Sequence, residues 1–479
     1  MTRRLVTDEN RRWWMLGAVA FSLFMIMLDN TVVNVALPAI EFDLHLSITA
    51  LEWTVNAYAL TFAVLLLLGG KLADYFGRRR LFLLGLLVFT ASSLACGLAE
   101  SGGTLIAARA VQGVGAALML PASLSLISAH FAPRERGTAI GIWAGVSLTA
   151  LGIGPLVGGL VLEHLSWSWI FYVNVPVGAV GLVAAWLLVP ESRDESREQR
   201  LDLPGLVTSG LALFALTFGL IEGSSYGWGS ATIIGCFAAA AVLLAAFVLV
   251  ELSLPLPMLD LRLFRNSTFA GANVAVLLAV LSMFGVFFFM SIFMQAILFY
   301  SAIRTGETFL PLTLVLVLTT PFAGRLADRF GARWPVTVGL SLVGTSLLLS
   351  SRLDARADFR SMLPGLVIAG IGFALTMTPI TTAVVGSVSV DKAGVASGVV
   401  NTFRQVGGSL GIAVMGAIVT YELHGAKPLD PSFSAAFVSG FQKALLVGGL
   451  TAFGGAAIAA LTIGRRPRLR VVELGEAAS

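Results

Sequence analysis

The sequence predicts an all-α membrane protein with fourteen transmembrane helices. Hydrophobic residues make up 57% of the 479 positions and charged residues only 12%, and the mean hydropathy is +0.89. A soluble domain of this length cannot bury so much apolar side chain. Apolar runs long enough to cross a bilayer also recur along the chain. Lipid, rather than water, is therefore the expected surrounding of most of this protein.

The predicted spans have the length that a hydrocarbon core of ~30 Å requires, about 20 residues of helix. The first six cover residues 13–37, 51–72, 81–98, 104–127, 137–162 and 169–189. A charged segment at 191–202 follows them, and two further spans cover 203–221 and 231–252. The last six cover 269–298, 308–327, 335–349, 363–385, 393–420 and 437–463.

The basic residues are distributed unequally between the loops on the two sides of these spans. An even number of spans puts both termini on one side and assigns every loop to a face. Most of the 31 lysines and arginines then fall on the terminal side, including the arginines at 78–80. The positive-inside rule therefore predicts cytoplasmic termini. Because topology explains the net charge of +4, and no basic groove with interleaved aromatics is present, no nucleic-acid partner is expected.

A ten-residue string occurs twice and divides the chain into two halves. Residues 70–79 read GKLADYFGRR, and residues 324–333 read GRLADRFGAR. Each copy ends the second span of its half, and the even number of spans between them predicts parallel rather than inverted repeats, with a substrate cavity between the halves. Two halves of six spans account for twelve of the fourteen, so two spans are inserted between the halves. The predicted segments are a six-helix bundle at 1–190, a linker with two inserted helices at 191–265, a second six-helix bundle at 266–464 and a cytoplasmic tail at 465–479.

Four motifs resemble those of the major facilitator superfamily. The string at 70–79 is similar to the superfamily's loop signature after the second helix. RAVQGVG at 109–115, and the segment from Gly145 to the string GIGPLVGG at 152–159, resemble two signatures of its drug:proton antiporters, the second of which marks antiport. LDNTVVNVALP at 28–38 is similar to the signature of their fourteen-span branch. The resemblance covers nearly the whole chain and implies the major facilitator fold, with two six-helix bundles plus two inserted helices.

The resemblance also implies a function. A member of this branch is a proton-coupled antiporter that exports small amphipathic drugs, antibiotics or secondary metabolites by alternating access. Its expected partners are the substrate, protons and the lipid bilayer; it is expected to be a monomer in the bacterial cytoplasmic membrane, and the proton gradient takes the place of any cofactor. LIEG at 220–223 and RQVGGSLG at 404–411 also look like this branch, the first like its actinobacterial members.

Two other functions stay open. The same fold can serve as a facilitator or importer of one metabolite, although the string at 152–159 argues against this. A membrane receptor or enzyme is a second alternative, but the four histidines are scattered and no HExxH or GxSxG string is present. Neither catalytic residues nor a metal site are therefore expected. A self-contained ATP-driven pump is disfavoured because no GxxxxGK[ST] string occurs.

Asp29 and Arg109 are the main candidates for proton coupling. A carboxylate inside a span costs about 2.5–3.5 kcal/mol on insertion scales, so it usually serves a purpose. Arg109 is expected at a similar depth, and an ion pair between the two would couple the charge of Asp29 to conformation. The alternatives are an aspartate hydrated in a vestibule and an arginine that braces its helix. Glu222 is a third candidate, although it can equally be an interfacial residue of a peripheral helix.

Two groups of residues are candidates for gating. Gly154, Pro155, Gly158 and Gly159 permit close helix packing and a bend in the fifth span. In the two loop copies, the resemblance implies a latch that holds one conformation closed on the cytoplasmic side. The alternative is that the basic residues of these loops only determine the membrane topology. In the second copy, Ala332 replaces a basic residue of the pattern. The latch residues are Gly70, Asp74, Gly77, Arg78, Asp328 and Arg329.

Promiscuous pockets combine apolar walls with a few polar anchors. The candidate substrate-binding residues are polar or aromatic side chains inside the spans, most of which can also face lipid, whereas the set at 401–405 is expected to line the cavity. They are Asn34, Asn56, Tyr58, Gln112, Trp143, Gln295, Asn401, Arg404 and Gln405.

Overall fold

The computed structural model describes residues 10–193, 202–255, 257–388, 392–423 and 432–464. Within these ranges the chain is helical and contains no strand, so the all-α class is confirmed. The predicted tail at 465–479 lies outside the described residues. The helices are α1 (Arg11–Leu44), α2 (Ile48–Phe76), α3 (Arg78–Gly97), α4 (Gly102–His130), α5 (Pro133–His164), α6 (Trp169–Tyr172), α7 (Asn174–Leu188), α8 (Leu203–Tyr226), α9 (Ala231–Ser253), α10 (Ser267–Ile292), α11 (Ala302–Phe330), α12 (Arg333–Ser350), α13 (Phe359–Gly386), α14 (Ala393–Leu423) and α15 (Phe433–Thr462).

Twelve helices of the described chain are long and apolar enough to cross a membrane, with α6 and α7 counted together as one span. The other two long helices, α5 and α12, occupy the two remaining predicted spans. Helix α12 has 18 residues and begins on Arg333, so its apolar stretch is short. Helix α5 passes through residues whose side chains lie outside the description. Twelve of the fourteen predicted spans are thus helices that could cross a membrane.

The end of α1 differs from the predicted span boundary. The apolar run ends near Leu37, but the helix continues through Pro38 to Leu44 and stops where His45 adopts a left-handed conformation, with φ of 52°. A proline inside a membrane helix is tolerated when neighbouring helices compensate for the lost backbone hydrogen bond. Ile40 of this extension is fully buried. Packing, and not the hydropathy of the sequence, therefore determines where α1 ends.

Two bundles and an inserted pair make up the fold. Helices α1–α7 pack on one another in the first bundle, and α10–α15 do so in the second. The bundles meet along two seams, one between α2 and α14 and one between α5 and α11. Helix α8 contacts both α2 and α14, whereas α9 packs mainly on α8. Only 17% of the α9 span is buried, so the inserted pair lies at the periphery of the molecule.

Both ends of the described chain lie on the same side of the molecule. The start of α1 contacts the end of α7 through Arg11 and Leu188, and α7 also contacts the start of α3. Lys71, near the end of α2, donates to the carbonyl of Pro257 just before α10. The end of α15 donates to Thr268 at the start of α10. This side is called the terminal side below, and the opposite side the far side.

The apolar core is arranged differently on the two sides. On the far side a single cluster contains residues of both bundles, for example Val32 and Leu37 of α1 with Phe288 and Met290 of α10. On the terminal side the core is split into two clusters, one around Phe62 and Phe89 of the first bundle and one around Val276 of α10, which also includes Phe247 of α9 and contacts Leu67 of α2. The apolar core is therefore continuous between the bundles on the far side, whereas on the terminal side it is split into two clusters that touch through Leu67 of α2.

Candidate functional site

Asp29 and Arg109 form a buried ion pair inside the first bundle. Nη1 of Arg109 lies 2.6 Å from Oδ2 of Asp29, and each side chain is 1% exposed. Asp29 projects from α1 and Arg109 from α4, the latter from the second turn after the capped start at Ser101. The structure thus brings the two main coupling candidates into direct contact. A charge pair removed from water in this way is stable only when further hydrogen bonds satisfy both partners.

Those further hydrogen bonds are present. The other oxygen of Asp29 accepts from Nε2 of Gln112 at 3.1 Å and from Nδ2 of Asn174 at 3.3 Å. Arg109 donates from Nε to the carbonyl of Thr54 at 3.2 Å and from Nη1 to Oε1 of Gln112 at 2.7 Å. Both members of the ion pair are therefore held by neutral groups from α2, α4 and α7.

Ser93 of α3 connects the amide groups behind the ion pair. Its hydroxyl accepts from Gln112 at 3.3 Å and from Asn174 at 3.0 Å, and donates to the carbonyl of Phe171 at 3.0 Å. Gln112 was among the residues predicted to line a substrate cavity, but it is fully buried here. Its side chain orients Asp29 and Arg109 in this conformation.

Two aromatic rings shield the guanidinium group of Arg109 from the rest of the bundle. Its Cζ lies 4.4 Å from the ring centroid of Tyr58 and 5.8 Å from that of Phe171. Aromatic faces stabilise a cation, more so where water is excluded. Tyr58 is fully buried, so in this conformation it contacts Arg109 rather than an open cavity.

This arrangement makes charge and structure interdependent. When Asp29 is ionised, the net charge of the pair is zero and both side chains have the hydrogen-bond partners described above. Protonation of Asp29 would leave the buried Arg109 without its counter-charge, which is strongly unfavourable in a low-dielectric interior. Helices α1 and α4 would then have to move, or Arg109 would have to reach water. A proton at this position can in this way bias a conformational equilibrium.

The small residues of α5 allow close contacts on two sides. A Cβ at Gly158 would lie 3.3 Å from Val32 of α1, and Gly154 packs against Thr31 of the same helix. Gly159 faces the second bundle, where a Cβ would lie 2.7 Å from the Cα of Ile303. Pro155, which lies within the helix, has its carbonyl close to Gly306 of α11. The string therefore lies at both the α1–α5 contact and the far-side end of the α5–α11 seam.

The first loop copy forms an ion pair within one bundle. Nη2 of Arg78 lies 2.8 Å from Oδ1 of Asp74. Gly77 between them has φ of +106°, which side chains rarely adopt, whereas Gly70 has only Pro121 near the position of a Cβ. Both charged partners belong to the α2–α3 junction. In this conformation the pair stabilises that turn and makes no bridge to the second bundle.

Glu191 completes the same junction. Its two carboxylate oxygens accept from the backbone N–H groups of Arg79 and Arg80 at 3.0 and 3.2 Å. The start of a helix carries unsatisfied N–H groups and a partial positive charge, so a carboxylate is favourable there. The segment after α7 is thereby attached to the start of α3.

The second loop copy lacks the ion pair. Asp328 corresponds to Asp74 and is exposed, and Ala332 stands at the position that corresponds to Arg78. Arg329 instead lies with its guanidinium 5.3 Å from the ring of Phe330. Gly331 retains a positive φ of 80°. The turn is thus repeated in the second half, but its charged contact is not.

The other predicted lining residues are spread over several places. Gln295 donates to the carbonyl of Val35 at 3.0 Å and joins the bundles on the far side. Asn56 accepts from Ser409 at 2.7 Å across the α2–α14 seam. Trp143 donates to Ser123 within the first bundle at 3.2 Å.

Asn34 donates to the carbonyl of Asn30 on its own helix at 3.0 Å.

Two of the three predicted α14 side chains interact with each other. Nη1 of Arg404 donates to Oδ1 of Asn401 at 3.2 Å, and Nη2 lies 3.4 Å from Oγ1 of Thr381 on α13. Gln405 is partly buried beside them. This arginine has no acidic partner in the described part of the chain, unlike Arg109. A partly buried arginine with neutral partners can accept an anionic or polar group.

Glu222 does not join the Asp29 network. Its Oε1 accepts from Nε1 of Trp53 at 2.9 Å, where α8 packs on α2. The predicted set of coupling residues is therefore separated into two places in the structure. The neighbour of Trp53, Glu52, is fully buried although it is not among the residues that the sequence predicts.

Comparison with known families identifies the chain. The model of the Major Facilitator Superfamily matches residues 19–412, which include both loop copies and the Asp29–Arg109 pair. The chain belongs to the Major Facilitator Superfamily. The structure of a bacterial homologue of the human lysosomal transporter Spinster, in an inward-facing and unoccupied conformation, has a TM-score of 0.69 with 18% identity, over 95% of this chain and 98% of that one. The predicted facilitator fold is therefore confirmed.

Several relatives of this major facilitator are named for resistance or export. The present chain is 37% identical to a tetracenomycin C resistance and export protein of Streptomyces glaucescens, over 86% of this chain and 76% of that protein. It is 39% identical to a puromycin resistance protein of Streptomyces alboniger, over 86% and 82%. A cephamycin export protein of Amycolatopsis lactamdurans is 39% identical, over 82% of each chain. The chain is thus a multi-pass membrane transporter with actinobacterial exporters among its relatives.

Three buried polar residues of this facilitator, Ser93, Asn174 and Glu52, were not predicted from the sequence. Ser93 and Asn174 give no signal, because small polar side chains are common in membrane helices that pack closely. Glu52 does give one, since a carboxyl group near the start of a predicted span indicates function by the same rule that singles out Asp29.

Proposed function

We propose that this protein is a proton-coupled antiporter that exports small amphipathic drugs, antibiotics or secondary metabolites across the bacterial cytoplasmic membrane. The observation that carries the proposal is the buried Asp29–Arg109 ion pair, a titratable group whose charge is balanced by one partner on another helix. The relatives named as resistance and export proteins support the substrate class. Both termini are placed in the cytoplasm by the positive-inside rule, and the working unit is a monomer.

The two-sided arrangement of the core supports alternating access. The apolar cluster shared by the bundles closes the far side, and the separate clusters leave the terminal side divided. With cytoplasmic termini, this conformation receives substrate from the cytoplasm. Protonation of Asp29 from the outside would belong to the opposite conformation, in which the far side is open. Release of that proton to the cytoplasm restores the ion pair described here.

The driving force for such a cycle comes from the proton gradient, with no cofactor. Each proton supplies about 1.4 kcal/mol per pH unit and ~2.3 kcal/mol per 100 mV of membrane potential. Coupling requires that the proton bind one conformation better than the other, because a ligand with equal affinity shifts no equilibrium. The Asp29–Arg109 pair provides that difference in this proposal.

A facilitator of one metabolite is the alternative on the same fold. In that mechanism Asp29 would bind substrate directly. Its two oxygens already accept from Arg109, Gln112 and Asn174, and its side chain is enclosed. These contacts favour a proton over a substrate as the ligand of Asp29.

The test uses purified protein in liposomes that contain a pH dye. Puromycin, tetracenomycin C, a cephamycin and the lipophilic cation tetraphenylphosphonium would each be added, and proton movement would be recorded for wild type and Asp29→Asn. Proton movement driven by a substrate and lost in Asp29→Asn supports antiport. Asp354→Asn is the control, because this exposed loop carboxylate only accepts from a backbone N–H. Substrate flux without proton movement would instead support the facilitator.

A further inference from the structure

Glu52 is a buried acid in unusual surroundings. Its side chain has 0% exposure, and neither of its carboxyl oxygens has a hydrogen-bond partner in the described part of the chain. It lies in the second turn of α2, whose N-terminal cap is Ser47. A Cβ added to Gly416 of α14 would collide with its carboxyl group. Glu52 is thus enclosed in the seam between the two bundles.

The charges around Glu52 do not stabilise a carboxylate. The nearest described acid is on α8: Glu222 accepts from Trp53, the residue next to Glu52, and would carry a charge of the same sign. Arg109 of α4 makes its contacts with Asp29, Gln112 and Thr54. Towards the far end of α14, Glu422 is already paired with Lys443, at 2.6 Å.

An ionised Glu52 would therefore be an unpaired buried charge beside a second acid. Two carboxylates that share an enclosed site do not both ionise, and one of them keeps a proton. The hydrogen bonds indicate which one. Glu222 is partly exposed and accepts from Trp53 at 2.9 Å, whereas Glu52 is enclosed and neither of its oxygens has a partner in the described part of the chain, so a charge is least favourable on Glu52.

We infer that Glu52 and Glu222 form a second proton-binding site, which holds one proton in this conformation and releases it during the transport cycle. The two sites then differ in their surroundings: Asp29 has a cationic partner in Arg109, while Glu52 has none and is neutral. The site lies where the inserted helix α8 meets α2 and α14, so movement of one bundle against the other changes its enclosure. Proton binding at this site does not require the proposed antiport, but its release in the cycle does.

A proton fits this site better than a metal ion. Sodium and other hard cations need several oxygen ligands, and no cluster of three or more acidic, histidine or cysteine side chains occurs among the described residues. Neither oxygen of Glu52 has a hydrogen-bond partner in the described part of the chain, and Gly416 opposite it has no side chain. A single proton neutralises the site without any further ligand.

Infrared difference spectroscopy of the full-length protein in lipid tests the binding. On raising the pH, the wild type should lose a band of a protonated carboxyl group. Glu52→Gln, which has the shape of the neutral acid, should lack this band, and Glu222→Gln should change the pH at which it disappears. The matched control is Glu422→Gln, a mostly buried acid with a counter-charge, which should leave the band unchanged. Identical pH-dependent carboxyl bands in wild type and Glu52→Gln, or loss of the Glu52-dependent band on adding Na⁺ at constant pH, would overturn the assignment.

Proton counting in the same liposomes tests release during transport. With tetraphenylphosphonium as the probe, Glu52→Gln should change the number of protons moved per substrate relative to wild type, and Glu422→Gln should leave it the same. An unchanged ratio would overturn the part of Glu52 in the cycle. The two proposals fail separately: full proton movement in Asp29→Asn contradicts the primary coupling site, whereas an infrared band independent of Glu52 contradicts the second.

Discussion

Arg78 and Asp74 form an ion pair at the α2–α3 junction, with 2.8 Å between Nη2 and Oδ1, while Ala332 leaves Asp328 without the corresponding partner in the second half. Both junctions contain a glycine with positive φ at the turn, Gly77 and Gly331. The repeat therefore preserves the backbone of the turn and loses one charged side chain. A substitution can restore it.

Ala332→Arg should stabilise the second junction. An Asp–Arg pair four residues apart contributes about 0.3–0.5 kcal/mol when partly exposed. Asp328 is exposed, but Ala332 is buried in an apolar cluster, so the arginine must extend to the surface and only a small rise in the thermal unfolding midpoint in detergent is expected. Ala332→Gln is the control for side-chain length. The gain should vanish in Ala332→Arg combined with Asp328→Asn, and persistence there would show that the ion pair is not its cause.

Removal of one member of the Asp29–Arg109 pair should destabilise the protein strongly. A buried charge left without its partner costs about 3–5 kcal/mol. We expect this loss for Asp29→Asn and for Arg109→Gln alone, and a double variant much less destabilised than the sum of the two. Thermal unfolding of the three variants gives the coupling energy. Additive losses would mean that the two side chains do not interact energetically.

Gly159→Ala should weaken the contact between the bundles on the far side. The added Cβ would lie 2.7 Å from Ile303 Cα, and such overpacking typically costs about 1–3 kcal/mol. We expect a lower unfolding midpoint and slower transport. Gly145→Ala on the same helix is the matched control, since nothing lies within 4 Å of its Cβ. Equal effects of the two substitutions would point to helix flexibility instead of the seam.

Gln295→Leu should favour opening of the far side. The hydrogen bond from Gln295 to Val35 joins the two bundles at 3.0 Å, and such a bond contributes about 0.5–1.5 kcal/mol, or roughly 2–10-fold in an equilibrium. A cysteine at Ile303, in a background with Cys96 and Cys236 replaced by alanine, should react faster with an impermeant maleimide applied from the far side.

Gln442→Leu is the control for this measurement. It loses a similar bond, from Gln442 to the carbonyl of Leu353 at 2.8 Å, but within one bundle. The maleimide rate should therefore stay at the wild-type value in Gln442→Leu. Equal acceleration in both variants would contradict a specific role of the contact between the bundles.

The helices were predictable because lipid imposes one simple rule on the sequence, an apolar run for each span. The exact ends of the helices were less predictable. Helix α1 continues through Pro38 because neighbouring helices cover the extension. The Asp29–Arg109 contact follows from the high cost of a lone buried charge. Which neutral groups complete it depends on packing among five helices. No local pattern in the sequence identifies Asn174 or Ser93 as these groups.

Placement of Glu222 shows the limit of prediction from a single helix. Its position in the seventh span leaves open whether it faces lipid or protein, because the apolar residues around it have no strongly one-sided pattern. The structure orients it toward Trp53 and Glu52, both on a helix far away in sequence. Contacts between the inserted pair and the bundles arise from tertiary packing, which the hydropathy of α8 alone does not encode.

The position of α8 makes the two seams of the transporter unequal toward lipid. Helix α8 contacts both α2 and α14 and so covers one seam from outside, with α9 beyond it. In the described part of the chain, neither inserted helix packs on the α5–α11 seam. A hydrophobic molecule dissolved in the membrane therefore meets a shielded flank on one side of the protein and a bare one on the other. Of the two seams, the one between α5 and α11 is therefore the one that the inserted helices leave uncovered toward the bilayer.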